Sequence, residues 1–131
     1  MKIIEVVIVV VSCLSVLNAC VIADSNPNPI ANKEKIEFDI SKLNQQGLYG
    51  PADGLRSLSY EFCIPAEEHF VSTILNIDPE IKIYRQSPGR IACTQAEYLC
   101  MGDTYNKPYQ KNFNDLADLY FIKRIIQSVF E

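Results

Sequence analysis

The stretch LRSLSYEFCIP, residues 55–65, decides the fold. Large apolar side chains occupy every second position of it, and serine, glutamate and cysteine stand between them. In an extended chain this alternation places apolar groups on one side and polar groups on the other, which predicts a half-buried strand. The apolar positions are Leu58, Tyr60, Phe62 and Ile64.

A helix is predicted directly after this strand, over residues 65–77. Pro65 stands where a first helical turn tolerates proline best. Asp78-Pro79 ends the helix, because the residue before proline is pushed out of the helical region. Helical spacing forms an apolar stripe of Ala66, Phe70, Ile74 and Ile77.

The remaining elements follow in a regular order. Alternation predicts a strand over residues 81–84, a short extended segment at 91–93, and a strand over residues 98–104. Residues 106–108 resemble a helix start, and the last segment, residues 121–131, is apolar enough for a buried strand with a bulge, or for a helix. The helix before it has one apolar face, formed by Phe113, Leu116, Ala117 and Tyr120.

The order strand, helix, strand, strand, helix, strand predicts an α+β domain. It fits a ferredoxin-like βαββαβ sandwich, an antiparallel sheet with two helices on one face. A less regular α+β domain built from the same elements is the alternative. The other sheet face is expected to carry Ser57, Ser59, Glu61, Cys63, Tyr98 and Cys100.

The N-terminal twenty residues have the features of an export signal. Lys2 precedes an apolar run that is too short for a membrane span of about 20 residues. The run ends at Leu17-Asn18-Ala19-Cys20, which resembles the lipobox of bacterial prelipoproteins. The resemblance implies that the mature chain starts at Cys20 and carries diacylglycerol and fatty acyl chains such as palmitate. An ordinary cleaved signal peptide is the alternative.

The domain organisation follows from the resemblance and from composition. Residues 1–19 form the predicted lipoprotein signal peptide, residues 20–46 a tether, and residues 47–131 the globular α+β domain. Residues 21–35 are rich in Asn, Pro, Ser and Lys, as tethers are. Alternation over residues 36–40 predicts a brief edge strand within the tether. A short ordered arm packed on the domain is the alternative for the tether.

The cysteines indicate an oxidising compartment. Once Cys13 leaves with the signal and Cys20 takes lipid, Cys63, Cys93 and Cys100 remain. An exported domain of this kind favours one disulfide and one buried thiol. Cys93 and Cys100 bracket a short segment that can turn back on itself, and Cys63 is a rival partner for either.

Charge and composition exclude some functions. The chain has 12 basic and 16 acidic residues, and its lysines and arginines form no cluster. Nucleic acid requires clustered positive charge, so we expect no nucleic-acid partner. Three cysteines without CxxC spacing and a single histidine predict no metal site and no cofactor.

Only a few residues are candidates for chemistry. Glu61 is predicted on a solvated sheet face, where Arg56 and Arg90 can reach it. Together with Tyr98 they are candidate ligand contacts. A salt bridge on a solvated face is the simpler interpretation of Glu61. His69 is predicted to be an exposed surface histidine, and no catalytic residue is predicted.

The sequence therefore predicts a small cell-envelope lipoprotein that acts as a binding module and is not an enzyme. Its expected partners are the membrane, through the N-terminal lipid, and an envelope protein. Valine after Cys20, in place of aspartate, resembles outer-membrane lipoproteins that face the periplasm; secretion is the alternative. Two other functions remain open: a hydrolase inhibitor with a rigid protruding loop, and a small enzyme that uses the sheet face around Glu61.

Overall fold

The computed structural model describes residues 33–129 of the 131-residue chain. The predicted signal peptide, Cys20 and residues 21–32 of the tether lie outside these residues. A 3-10 turn, Ile40–Lys42, precedes the regular elements. In chain order these are β1 Leu48–Tyr49, β2 Arg56–Ser57, β3 Ser59–Pro65, α1 Glu68–Ile77, β4 Lys82–Tyr84, β5 Glu97–Asp103, α2 Tyr109–Asp118 and β6 Ile125–Ser128.

The strands form two antiparallel sheets. The larger sheet has the order β4-β5-β3-β6, with β3 and β5 in its centre, and β1 and β2 form a separate two-stranded sheet. The strand predicted over residues 55–64 is thus divided between β2 and β3, with Leu58 between them. The predicted α+β class with an antiparallel sheet is confirmed.

The main core lies between the larger sheet and the two helices. Tyr60, Phe62 and Ile64 of β3 are buried there, as the alternation predicts. Helix α1 contributes Val71 and Ile74, and α2 contributes buried residues to the same cluster, including Phe113 and Leu116. Both helices therefore pack over one continuous apolar face.

One end of α1 is where the sequence predicts it and the other is not. The prediction that Pro65 opens the helix is wrong, because Pro65 is the last residue of β3 and pairs with Glu97, and α1 begins at Glu68. The helix ends at Ile77, since Asp78 has extended backbone before Pro79, as predicted. Helix α2 ends at Asp118, because Leu119 already has extended backbone angles. The predicted placement of Tyr120 on the helix face is wrong: it lies beyond the helix end and its side chain is 84% exposed.

The register of β5 corrects two positions on the sheet. Phe62 lies opposite Cys100, and Ile64 lies opposite Tyr98, so both partners share the helix-covered face with β3's core residues. The prediction that Tyr98 and Cys100 lie on the other face is wrong. Leu99 and Met101 occupy that face instead, because a second small apolar cluster there accepts them.

The residues before β1 are part of the folded domain. Ile36 forms a parallel bridge with Ile125, so the arm runs along the free edge of β6. Leu43 is 8% exposed and belongs to the main core. The arm from Ile36 to Leu43, which falls within the predicted tether, is therefore ordered and packs on the domain. The predicted edge strand is reduced to that single bridge, since Ile40 already begins the 3-10 turn.

Candidate functional site

The sheet face opposite the helices is partly covered by the connection between β4 and β5. We call this connection, residues 85–96, the pinned loop. It contains no helix or strand, and the short strand predicted at residues 91–93 is a turn in which Ala92 has φ 64°. The loop folds back over the sheet and buries Leu99 together with its own Ile91 and Cys93.

Two contacts fasten the pinned loop to the sheet, and a third lies within the loop. Cys93 forms a disulfide with Cys63 of β3 across a sequence separation of 30 residues. The backbone N–H of Ile91 donates to Glu61 Oε1 at 2.7 Å. Within the loop, the Cys93 N–H donates to the Pro88 carbonyl at 2.7 Å. The middle of the loop is thus held by a covalent bond and by a charge-assisted hydrogen bond.

The loop approaches the sheet so closely at Gly89 that no side chain fits. A Cβ atom at this position would lie 2.7 Å from Leu99 Cδ1 and 3.3 Å from Glu61 Oε1. Gly89 also has φ 61°, a conformation that glycine adopts without the steric cost of other residues. At Gly89 the loop therefore packs tightly against Leu99 and Glu61.

The outer side of the loop remains open to solvent. It borders a groove of about 510 Å³. Four of its eight lining residues carry amide or hydroxyl side chains, so the groove presents both hydrogen-bond donors and acceptors. Its lining residues are Arg85, Gln86, Ser87, Pro88, Cys93, Thr94, Gln95 and Glu97.

Both ends of the groove are held in place. Arg85 donates from two nitrogens to Glu68 of α1, at 3.0–3.1 Å, and lies over the Tyr98 ring with 5.3 Å to its centroid. Hydrogen bonding to Glu68 raises the pKa of Arg85, so it stays charged. At the other end, the Thr94 N–H donates to Glu97 Oε1 at 2.9 Å.

The structure places the predicted ligand contacts apart. Glu61 is 2% exposed, so the predicted solvated position is wrong: the pinned loop covers it, and the backbone of Ile91 binds it in place of an arginine. Arg56 lies over the Tyr49 ring in the β1–β2 sheet. Arg90 is exposed on the pinned loop, and Tyr98 lies half-buried beneath Arg85.

His69 lies on the surface of α1, as predicted. Its side chain is 66% exposed, and its Nδ1 is 3.3 Å from Glu67. Among residues 33–129 there is no group of three His, Cys, Asp or Glu side chains that could hold a metal ion. No helix within this part of the chain is long and apolar enough to cross a membrane.

The most convergent charged groups lie elsewhere and are structural. Lys107 Nζ is 3.0 Å from both Asp78 and Glu80, so it joins the segment before α2 to the end of α1. Burial opposes the charge, but the hydrogen bonds to the two carboxylates outweigh it and raise the pKa of Lys107. A lysine that stays protonated in this way is a poor general base.

The cysteine pairing resolves the alternatives left open by the sequence. Cys63 pairs with Cys93, whereas the pairing across the short Cys93–Cys100 segment does not form. The register explains this, because Cys100 points into the helix-covered core and Cys93 lies on the opposite face of the sheet.

The Cys100 thiol is expected to be unreactive in the folded chain. Burial raises the pKa of its thiol to about 12, so the reactive thiolate is scarce at pH 8. Iodoacetamide should label Cys100 only after unfolding in urea, while the Cys63 and Cys93 peptides remain linked without reductant. Peptide mass mapping checks this. Labelling of Cys100 in the native chain would contradict its burial, and labelling of Cys63 or Cys93 without reductant would contradict the assigned pairing.

Glu61 is expected to contribute to stability through the loop. Glu61→Ala should lower the free energy of unfolding by about 2 kcal/mol, because a hydrogen bond to a charged group is lost and the buried Ile91 N–H loses its acceptor. Glu61→Gln keeps an oxygen acceptor and should cost only about 1 kcal/mol. Urea unfolding of the two variants measures the difference. If neither substitution changes the free energy of unfolding, the carboxylate does not hold the loop.

Sequence reasoning did not single out the groove residues Gln86, Thr94 and Gln95. Polar residues in a loop carry no signal of their own, and only the pairing of Cys63 with Cys93 would have indicated that this loop is fixed. Comparison of the chain with protein-family models, curated proteins and solved structures finds no match.

Proposed function

We propose that this chain is a small binding module of the cell envelope, not an enzyme, and that it recognises its partner through the outer side of the pinned loop. One observation carries the proposal. A connection without secondary structure is fixed by a disulfide, a buried carboxylate and a close glycine contact, while its outer polar side chains stay exposed.

The physical advantage of such a loop lies in its lower entropic cost of binding. A loop already held in one conformation loses less freedom when a partner binds, so more of the contact energy appears as affinity. Recognition residues are often placed on loops that a rigid scaffold positions. The amides and hydroxyls of the groove favour a partner rich in hydrogen-bonding groups, such as an exposed segment of an envelope protein.

The proposed location is the outer membrane, with the domain facing the periplasm and anchored through lipid on Cys20; secretion is the alternative. The Leu17–Cys20 resemblance supports the anchor, and the Cys63–Cys93 disulfide is in keeping with an oxidising compartment. Intact mass of membrane-extracted protein should show a chain that starts at Cys20 and carries acyl chains. Cys20→Ser should release the domain, and an unmodified Cys20 in a soluble product would refute the anchor.

The pinned loop also bears on the two alternative functions. A loop tied by a disulfide is the feature expected of a hydrolase inhibitor, but Gly89 and Ile91 lie against the sheet and the loop does not protrude. An enzyme acting at Glu61 needs substrate access to a carboxylate that the loop covers. Both observations favour recognition by the outer groove.

We also propose that the core from β3 to β6 is a ferredoxin-like βαββαβ unit. The order of its elements and the packing of both helices into one cluster support this assignment. The β1–β2 pair and the N-terminal arm would then be additions to the unit. In this arrangement the pinned loop is the connection between the second and third strands.

Site-specific photo-cross-linking in intact cells tests the proposal. A photoreactive residue at Gln95 lies at the groove, and one at Gln110 lies on the exposed side of α2 as a matched glutamine control. We expect a discrete cross-linked species from position 95 and none from position 110. A species from position 110 alone, or none from either, would refute recognition by the pinned loop.

A further inference from the structure

A row of aromatic rings crosses the surface between the start of α1 and the end of α2. We call His69, Phe70, Phe121 and Tyr120 the aromatic row. Neighbouring ring centroids lie 3.9, 4.6 and 5.3 Å apart in that order. Phe70 and Phe121 are partly buried against the main core, whereas Tyr120 is 84% exposed. The row thus leads from two partly buried rings to a tyrosine ring that is open to solvent.

The N-terminal arm enters the domain beside this row. Lys35 Nζ donates to the carbonyls of Ala117 and Leu119 at 2.8 and 3.0 Å. Both carbonyls lie at the C-terminal end of α2, where a lysine can satisfy them well. Tyr120 follows Leu119 directly, so the point at which the chain reaches the domain and the exposed ring lie at the same end of α2.

We propose that the aromatic row docks on the surface of a lipid bilayer. The inference rests on the anchor proposed at Cys20. Twelve residues lie between Cys20 and Lys33, so the two Cα atoms are at most about 45 Å apart in a fully extended chain. An anchored domain therefore stays close to the bilayer. The arm joins the domain at the end of α2, which is also where the aromatic row ends in Tyr120.

The chemistry of the row suits the region of the lipid headgroups. Tyrosine has an apolar ring and a polar hydroxyl, and such rings are enriched at membrane–water interfaces. A single docking ring binds weakly in free solution. The anchor makes the contact intramolecular and raises the effective concentration, so weak affinity suffices.

Charge around the row is close to balanced. Arg124 forms an ion pair with Glu37, with nitrogen–oxygen distances of 2.6–2.8 Å, so neither adds a free charge. Apart from this pair, the arm, the end of α2 and the α2–β6 connection carry four basic and three acidic side chains: Lys33, Lys35, Lys42, Lys123, Glu34, Asp39 and Asp118. At the other end of the row Glu67 lies 3.3 Å from His69 Nδ1. We therefore expect docking through the rings, with little preference for anionic lipids.

Docking leaves the pinned loop accessible. The aromatic row packs against the helix-covered core, while the pinned loop packs against the other face of the sheet. The domain can therefore contact the bilayer through one layer and present its groove from the other. Membrane contact through the row would orient the groove with respect to the bilayer.

The chain contains no tryptophan, which provides a clean experiment. Tyr120→Trp places a single indole in the aromatic row. Tyr105→Trp is the matched control, because Tyr105 is a 56% exposed tyrosine near the start of α2, and α2 is about 15 Å long. The full lipidated chain is reconstituted into phosphatidylcholine vesicles in which part of the lipid carries bromine atoms that quench tryptophan.

We expect the bromolipid to quench the indole at position 120 and to move its emission to shorter wavelength, with no change at position 105. Quenching should be the same when phosphatidylglycerol replaces part of the phosphatidylcholine. Equal quenching at both positions, or none at 120 in a chain that sediments with the vesicles, would overturn docking and leave the anchor intact. A chain that stays in the supernatant would overturn both proposals.

Contact of the aromatic row with protein in place of lipid would give a different result. If the indole at position 120 is protected from the water-soluble quencher iodide but is not quenched by bromolipid, a second copy of the chain covers the row. That outcome also overturns membrane docking. Tyr120→Ser provides a second measurement: it should restore iodide access at a neighbouring reporter, Phe121→Trp, only when vesicles are present.

Discussion

Replacing Phe62 by alanine is expected to lower the free energy of unfolding by about 4 kcal/mol. Phe62 lies at the centre of β3 and is fully buried between the sheet and the helices. Its neighbours include Tyr60, whose ring stacks at 6.2 Å, and Cys100 and Ile125 on the adjacent strands. Loss of the ring removes apolar burial and leaves a cavity that a strand fixed on both sides cannot close.

Ser59→Ala is the matched control for this substitution. Ser59 lies on the same strand but on the opposite, partly exposed face, so its loss should change stability by less than about 0.5 kcal/mol. Urea unfolding followed by circular dichroism measures both variants. Similar costs at the two positions would show that the faces of β3 are assigned the wrong way round.

Removing the disulfide by Cys63→Ser with Cys93→Ser is expected to cost about 3.5 kcal/mol. The cross-link closes a segment of 30 residues, and the chain-entropy relation gives this value for the freedom that the unfolded chain regains. The double substitution is preferable to a single one, because a single one leaves a thiol at Cys63 or Cys93 that air can oxidise to a new disulfide with Cys100 once the chain unfolds.

The double variant should also lose the order of the pinned loop before that of the sheet. Residues 85–96 are expected to become the first site of limited proteolysis, while the helices and central strands stay protected. Wild-type protein without reductant is the control. Unchanged stability and an intact loop in the double variant would show that Glu61 and Gly89 alone hold the loop.

Much of the fold can be predicted from the sequence because strong local signals agree. The alternation of apolar residues predicts a strand with one apolar face, and all four residues of that face are buried in the structure: Leu58, Tyr60, Phe62 and Ile64. Asp78-Pro79 marks a helix end through sterics within the dipeptide itself. Such features depend on neighbouring residues, so a single sequence is sufficient to detect them.

The face assignment of β5 could not be predicted in the same way. Leu99 and Met101 are apolar, and Tyr98 and Cys100 are apolar enough to occupy a core as well. A strand buried on both sides carries no alternation that identifies the helix-covered face. The register with β3 and the pinned loop on the far side determine which side chains of β5 face the helices. Both depend on contacts between residues that are distant in sequence.

The candidate site was the least predictable part. Glu61 carries a charge, which normally indicates exposure, and its burial depends on a backbone N–H thirty residues away. The pairing of Cys63 with Cys93 was one of several alternatives that spacing alone left open. The groove of the pinned loop follows from these long-range contacts and from no local motif.

Residue-resolved hydrogen exchange of the isotope-labelled chain tests the central claim most directly. The account predicts slow exchange at the Ile91 and Cys93 amides, which donate to Glu61 and to Pro88 although they belong to no helix or strand. The backbone amides of Gln86 and Gln95, two exposed residues of the same loop, should exchange rapidly in the same sample. Exchange at Ile91 and Cys93 as fast as at Gln86 and Gln95 would contradict the account, because the loop would then not be held in one conformation.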